Sequence, residues 1–181
     1  SRGLQYDAQL KAVWVATNDG LYFFKRQGSE WKNDRQFFKG TQILSLAKAD
    51  QGGGLFVLDF IGSVYLLDEN GAVNRVVELP KDVLPTKIFM HEHKLYVATN
   101  RGVWIYYANA DDIPFQLLTH ISGLISDNVQ DIDIWSKRLW VATGSGIQSV
   151  PIGTHKEEVR ARIYLKDFPF LRHVEGEYEF E

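Results

Sequence analysis

The residues best suited to chemistry are few. His91-Glu92-His93 sets two imidazoles at i and i+2, on one face of an extended strand, a spacing that can in principle hold a metal. The tripeptide also falls where a hairpin is expected, and polar turn residues explain it without a metal. Asp131 and Asp133 share a strand face, the minimum for a carboxylate pair, but polar residues lining a water-filled channel are the better account of them. Gly144-Ser145-Gly146 has no strand-to-helix step after it, so it is neither a phosphate loop nor a nucleophile elbow. Asp111-Asp112 before Ile113-Pro114 reads as loop, and His120, His155 and His173 have no partner that spacing can supply. There is no cysteine, which excludes disulfides, thiolate zinc sites and thiol nucleophiles. The expectation is a chain with no catalytic residues, no metal and no cofactor. It is not an enzyme on this reading, and no residue is assigned as a ligand contact.

The elements that would position such residues are repeated. Val13-Trp14-Val15-Ala16-Thr17 is followed by Gly20, Leu95-Tyr96-Val97-Ala98-Thr99 by Gly102, and Leu139-Trp140-Val141-Ala142-Thr143 by Gly146. A weaker copy, Leu55-Phe56-Val57-Leu58-Asp59, is followed by Gly62. From Thr17 through Asp59 and Thr99 to Thr143 the steps are 42, 40 and 44 residues. Each stretch reads as a strand buried on both faces, because it is short, β-branched and almost continuously apolar. The glycine three residues on supplies the positive φ of a tight hairpin. Return strands follow at Leu21–Phe24, Val64–Leu67 and Val103–Tyr107, and further strands are expected upstream at Ile43–Ala47, Lys87–Met90 and Val129–Trp135. Outer strands are expected at Gln36–Lys39, Val73–Leu79 and Phe115–His120. Four antiparallel strands every ~40–45 residues are the signature of β-propeller blades. The fold class is all-β: about four four-stranded blades over residues 1–152. A single blade cannot bury both its faces, so Trp14, Tyr96 and Trp140 are expected to fill the space between neighbours.

Composition sets further bounds. The chain has 181 residues, 45% hydrophobic and 24% charged, with a net charge of −3. That is a globular profile, and Lys and Arg form no basic stripe, so nucleic acid is not an expected partner. No run of about eighteen apolar residues is present to span a bilayer. Ser1-Arg2-Gly3 lacks the start of a signal peptide, so an export signal would belong to a longer parent.

At these residues the chain resembles the two-component regulator propeller repeat of bacterial sensor histidine kinases and hybrid two-component proteins. That repeat runs Gly-Leu-Pro-Ser-Asn-x-Val, then a strand, then Leu-Trp-Ile-Gly-Thr-x-x-Gly-Leu. Gly123-Leu124-Ile125-Ser126-Asp127-Asn128-Val129 is similar to the opening, and Leu139–Thr143 with Gly146-Ile147 to the hairpin. Ile125 stands where proline is common, Ala142 where glycine is usual, and Asp59 replaces the threonine of the second unit. The resemblance covers residues 4–152. It implies the periplasmic, extracytoplasmic region of an inner-membrane sensor, a small-molecule ligand such as an oligosaccharide, and kinase chemistry located elsewhere in a parent protein.

Residues 153–181 leave the repeat. Ala161–Phe168 alternates apolar and polar, and Glu175–Glu181 carries Tyr178 and Phe180 on one face. The resemblance implies the first strands of an immunoglobulin-like three-tyrosine domain; closure onto the first blade is the alternative. Four blades in an unclosed arc leave two sheet faces open to water. The expected occupants are the rest of a larger propeller or a second copy, as in a homodimer. A scaffold of a cell-envelope or secretion assembly is the rival function, and a propeller lyase or glycosidase the third.

Overall fold

The computed structural model describes residues 3–8, 10–50, 53–107 and 116–152. The tail strands expected after residue 152, together with Asp111-Asp112, His155 and His173, lie outside the described residues. Four antiparallel sheets follow one another along the chain. The first is β1 (Gly3–Asp7), β2 (Ala12–Thr17), β3 (Gly20–Gln27) and β4 (Glu30–Phe37). The second is β5 (Ile43–Lys48), β6 (Leu55–Asp59), β7 (Ser63–Leu67) and β8 (Val73–Glu78). The third is β9 (Pro85–His91), β10 (Lys94–Thr99), β11 (Gly102–Tyr107) and β12 (Gln116–Leu118). The fourth has, among the described residues, β13 (Val129–Trp135), β14 (Arg138–Thr143) and β15 (Gly146–Pro151).

Each sheet is a meander in which spatial order equals chain order. The first strands β1, β5, β9 and β13 lie side by side, so the four sheets are blades stacked face to face around one edge. Polar ties join these inner strands. Lys48 reaches Asp7 at 3.4 Å, Ile88 N–H donates to Ser45 Oγ at 3.2 Å, and Thr86 Oγ1 donates to the Val129 carbonyl at 3.1 Å.

Alternation along the second strands explains why they look apolar on both sides. Val57 and Leu55 face the first blade, whereas Phe56 and Leu58 face the third. Likewise Leu95 and Val97 face the second blade, and Tyr96 and Ala98 the fourth. Three apolar cores result. Ala16 and Leu21 meet Ile43, Leu55 and Val57; Phe56 and Val64 meet Ile88, Leu95 and Val97; Tyr96 and Val103 meet Ile132, Leu139 and Val141. Trp14 and Tyr96 fill inter-blade space as expected.

Trp140 does not. Its register matches that of Trp14 and Tyr96, but it lies on the far face of the last described blade, where it is exposed and no described blade follows. Ile147 makes the contrast sharper. It pairs with Ala142 as Leu21 pairs with Ala16, Val64 with Leu58 and Val103 with Ala98. Those three counterparts have no exposed surface, whereas Ile147 is 74% exposed. On the opposite end, Leu4 holds the register of the buried Ile88 and Ile132 and is 66% exposed.

The outer strand of the first blade is longer and earlier than Gln36–Lys39: it runs Glu30–Phe37. Its residues through Gln36 are exposed and mostly charged, with Lys25 and Arg35 both reaching Asp34, so the strand carries no apolar alternation to read. Such charge suits an outer edge, which it protects from pairing with other chains. The strand expected at Phe115–His120 is shorter, Gln116–Leu118, and gives way to a 3-10 turn at His120–Ser122.

Candidate functional site: the hairpin face

Because each sheet is a meander, the end of its second strand, the start of its third, the end of its fourth and the start of the next blade share one rim. That rim holds the repeat hairpins and the crossing segments 38–42, 79–84 and 119–128. In three blades the hairpin is built by threonine. Thr17, Thr99 and Thr143 each donate Oγ1 to the carbonyl of the glycine three residues on, at 2.8, 2.9 and 3.1 Å. Each also accepts from the N–H two residues on. Gly102 has φ +97, and a Cβ there would collide with the Leu118 carbonyl, so no other residue lets the outer strand approach.

In the second blade Asp59 does the work of threonine. Its Oδ1 accepts from Ile61 N–H at 3.1 Å and from Ser63 N–H at 2.8 Å, while Tyr65 OH donates to Oδ2 at 3.4 Å. Burial raises its pKa above the ordinary 3.8, against the lowering effect of those hydrogen bonds.

The polar turn residues are spent on the fold. Asn100 Oδ1 accepts from Leu84 N–H at 2.7 Å, Arg101 pairs with Asp82 at 2.7 Å, and Asp19 Oδ1 accepts from Gly40 N–H at 3.2 Å. His120 Nδ1 lies 2.5 Å from Asp127 Oδ2, and the Asp127 carbonyl accepts from Gly102 N–H, which ties the last crossing segment to the third hairpin. Beside exposed Lys39, Lys81 and Asn128, the rim also presents apolar side chains. Phe60 and Ile61 occupy the two turn positions that hold Asn18-Asp19 and Asn100-Arg101 elsewhere, and Ile61 is 73% exposed. Leu84 and Ile121 extend the rim from the crossing segments, Ile121 at 83% exposure. These four residues carried no expectation from sequence, although an apolar pair in a turn slot that is polar in its sister copies was a readable signal.

The other candidates are placed as structural residues. Glu92 and His93 are the two turn residues between β9 and β10, both at positive φ, while His91 ends β9 and its Nε2 sits 3.8 Å from Glu92. His93 N–H donates to Asp50. Asp131 pairs with Lys87 at 2.5 Å, and Asp133 Oδ1 accepts from Ile134 N–H at 2.7 Å, so the two carboxylates share a strand but not a task. Ser145 lies in the fourth repeat hairpin. Among the described residues no group of three His, Asp or Glu side chains could hold a metal ion, and no helix is long and apolar enough to cross a membrane.

The architecture is that of known propellers. The chain is similar to the extracellular domain of a B. thetaiotaomicron protein described as a hybrid two component system, at 19% identity and a TM-score of 0.65, covering 82% of this chain and 20% of that one. It is equally similar to PorZ, a surface component of the type-IX secretion system of Porphyromonas gingivalis, at 15% identity and TM-score 0.65, covering 81% of this chain and 25% of that one. A streptogramin B lyase matches at 14% identity and TM-score 0.55, covering 83% of this chain and 54% of that one. The chain thus spans only a fifth to a quarter of the first two. No family model and no curated protein matches the sequence. A sensor domain, a secretion component and a lyase share this fold, so the fold is shown and the function must be argued from the site.

Proposed function

We propose that the chain is a non-catalytic recognition module from the extracytoplasmic, periplasmic region of a two-component sensor, and that its hairpin face takes the ligand. The observation that carries this reading is the rim itself. Asp19, Asn100 and Arg101 are engaged in holding turns and crossing segments, while Phe60, Ile61, Leu84 and Ile121 are held out to solvent. Exposed apolar residues gathered on one face mark binding surfaces. The repeat motif and the likeness to an extracellular two-component domain support the sensor setting. Signalling would then be a shift in population between two arrangements, limited by the ligand's differential affinity for them. Phe60 offers one flat ring for stacking on a sugar, which supports an oligosaccharide as the ligand.

A second reading has an observation of its own. Ile61, Leu84 and Ile121 are aliphatic and suit a protein surface better than a hydroxyl-rich sugar, and a secretion component shares the fold. This favours a scaffold in an envelope assembly. Titration of the chain with a panel of glycan-derived oligosaccharides, followed by calorimetry, tests the first reading. Saturable heat that is lost in Phe60→Ala supports it. Silence across the panel, with Ile61→Lys abolishing capture of an envelope protein in crosslinking, establishes the second instead.

A further inference from the structure

The hairpin between β7 and β8 holds a chemistry that neither the rim nor the cores use. Asn70 is followed by Gly71, and no other asparagine of the chain precedes a glycine. Asn70 is exposed in the turn, and among the described residues no hydrogen bond engages its carboxamide. Asn100 differs, since its Oδ1 is held by Leu84 N–H at 2.7 Å. Gly71 stands at φ +89 and has no side chain to shield its nitrogen. Asp68 sets the turn. Its Oδ1 accepts from Asn70 N–H at 2.9 Å and from Ala72 N–H at 2.7 Å, and its carbonyl accepts from Gly71 N–H at 3.1 Å. The last of these bonds must open before the Gly71 nitrogen can turn on the Asn70 side chain. Hydrogen bonds in exposed turns open at a small fraction of the cost of global unfolding.

We infer that Asn70-Gly71 is a site of spontaneous deamidation, and that its product loosens the contact between the first two blades. The Gly71 nitrogen loses its proton to solvent and forms a bond to Asn70 Cγ, while the Cγ–Nδ2 bond breaks and ammonia leaves. Water then opens the cyclic imide at one carbonyl or the other and restores the Gly71 N–H. The products are aspartate, and isoaspartate with the Asn70 Cβ carried into the main chain. Water is the one co-reactant. The turn lies against the first blade: the place a Cβ would take on Gly71 is 3.5 Å from Arg35 Nη1 and 3.6 Å from the Phe37 ring. Phe37 in turn packs on the core that the first two blades share. A longer main chain at Asn70 shifts Gly71 against those groups, and it separates two N–H groups that one Asp68 oxygen holds. The site is independent of whatever the rim binds.

Ageing the whole folded chain at neutral and mildly alkaline pH, followed by tryptic mapping, tests this. Trypsin releases Ala49–Arg75 as one peptide, which holds both Asn70 and Asn74. The expected result is the mass gain of an amide turned to an acid, placed at Asn70 by fragmentation and ahead of every other asparagine. It should come faster at the higher pH, because the attacking nitrogen must lose its proton. Asn70→Gln changes an exposed side chain, so the variant should fold as the parent does and keep its mass. The urea midpoint of the aged parent should fall while that of the aged variant holds. Modification at Asn74 or elsewhere first overturns the site. Conversion of Asn70 in urea but not in the folded chain also overturns it, by showing that the Asp68–Gly71 bond guards the turn. Full conversion with an unchanged midpoint overturns the loosening of the blade contact.

Discussion

Val103 and Ile147 hold the same place in adjacent blades, opposite Ala98 and Ala142, and yet one is fully buried and the other 74% exposed. Chemistry does not separate them, since both are β-branched aliphatics. The difference is the presence of a neighbouring sheet. Val103 has the fourth blade against it, and Ile147 faces solvent.

Truncating the two should therefore have different consequences. Val103→Ala removes buried methyl groups from a closed core and should cost about 2 kcal/mol in urea unfolding. Ile147→Ala should cost less than about 0.5 kcal/mol. Equal costs would mean that the last blade's outer face is covered within a single chain.

Much of the architecture was legible because the repeat acts on three levels at once. The apolar strand, the threonine and the glycine all point to a buried strand entering a hairpin, and Thr17, Thr99 and Thr143 make the same two hydrogen bonds. The β4 strand escaped because Glu30–Gln36 is wholly exposed and held by ladder hydrogen bonds and charge, which leave no hydrophobic period. The rim was half legible. Phe60 and Ile61 break a polar turn pattern visible in the sequence, but the exposure of Leu84 and Ile121 depends on where segments 79–84 and 119–128 cross. Single exposed apolar residues are ordinary until topology gathers them.

Asp59 should make stability depend on pH in an unusual sense. Its pKa is raised on folding, so the native state binds its proton more readily than the unfolded state does. Its contribution to stability thus falls as pH rises from 3.8 through the higher folded value. Asp59→Thr restores the residue of the sister hairpins and removes the buried charge. The variant should gain on the parent as pH climbs through that window, measured by urea midpoints from pH 4 upward. A difference that stays flat with pH would show that the Asp59 ionisation is not linked to folding.

The turn Ser136-Lys137 between β13 and β14 places two residues with side chains at φ 54 and 57. That conformation suits a two-residue hairpin but crowds Cβ against the backbone. Replacing the pair by Asn-Gly should raise stability by roughly 1 kcal/mol, read as an upward shift in the urea midpoint with an unchanged slope. Loss of stability would show that the Ser136 and Lys137 side chains hold contacts worth more than the relieved strain.

The rim offers the sharpest separation of function from folding. Phe60 and Ile61 sit at the tip of a hairpin whose geometry is set by Asp59 and by Gly62, neither of which needs the tip side chains. Phe60→Ser combined with Ile61→Ser should leave the unfolding midpoint within about 0.5 kcal/mol of the parent, as for surface changes away from packed features. Exposed apolar surface should fall, seen as weaker binding of a hydrophobic dye. Affinity for whatever the face recognises should drop tenfold or more, because side chains that anchor an interface carry most of its energy. If the double variant unfolds, the rim is part of the core. If it binds like the parent, the ligand lies elsewhere on the blades.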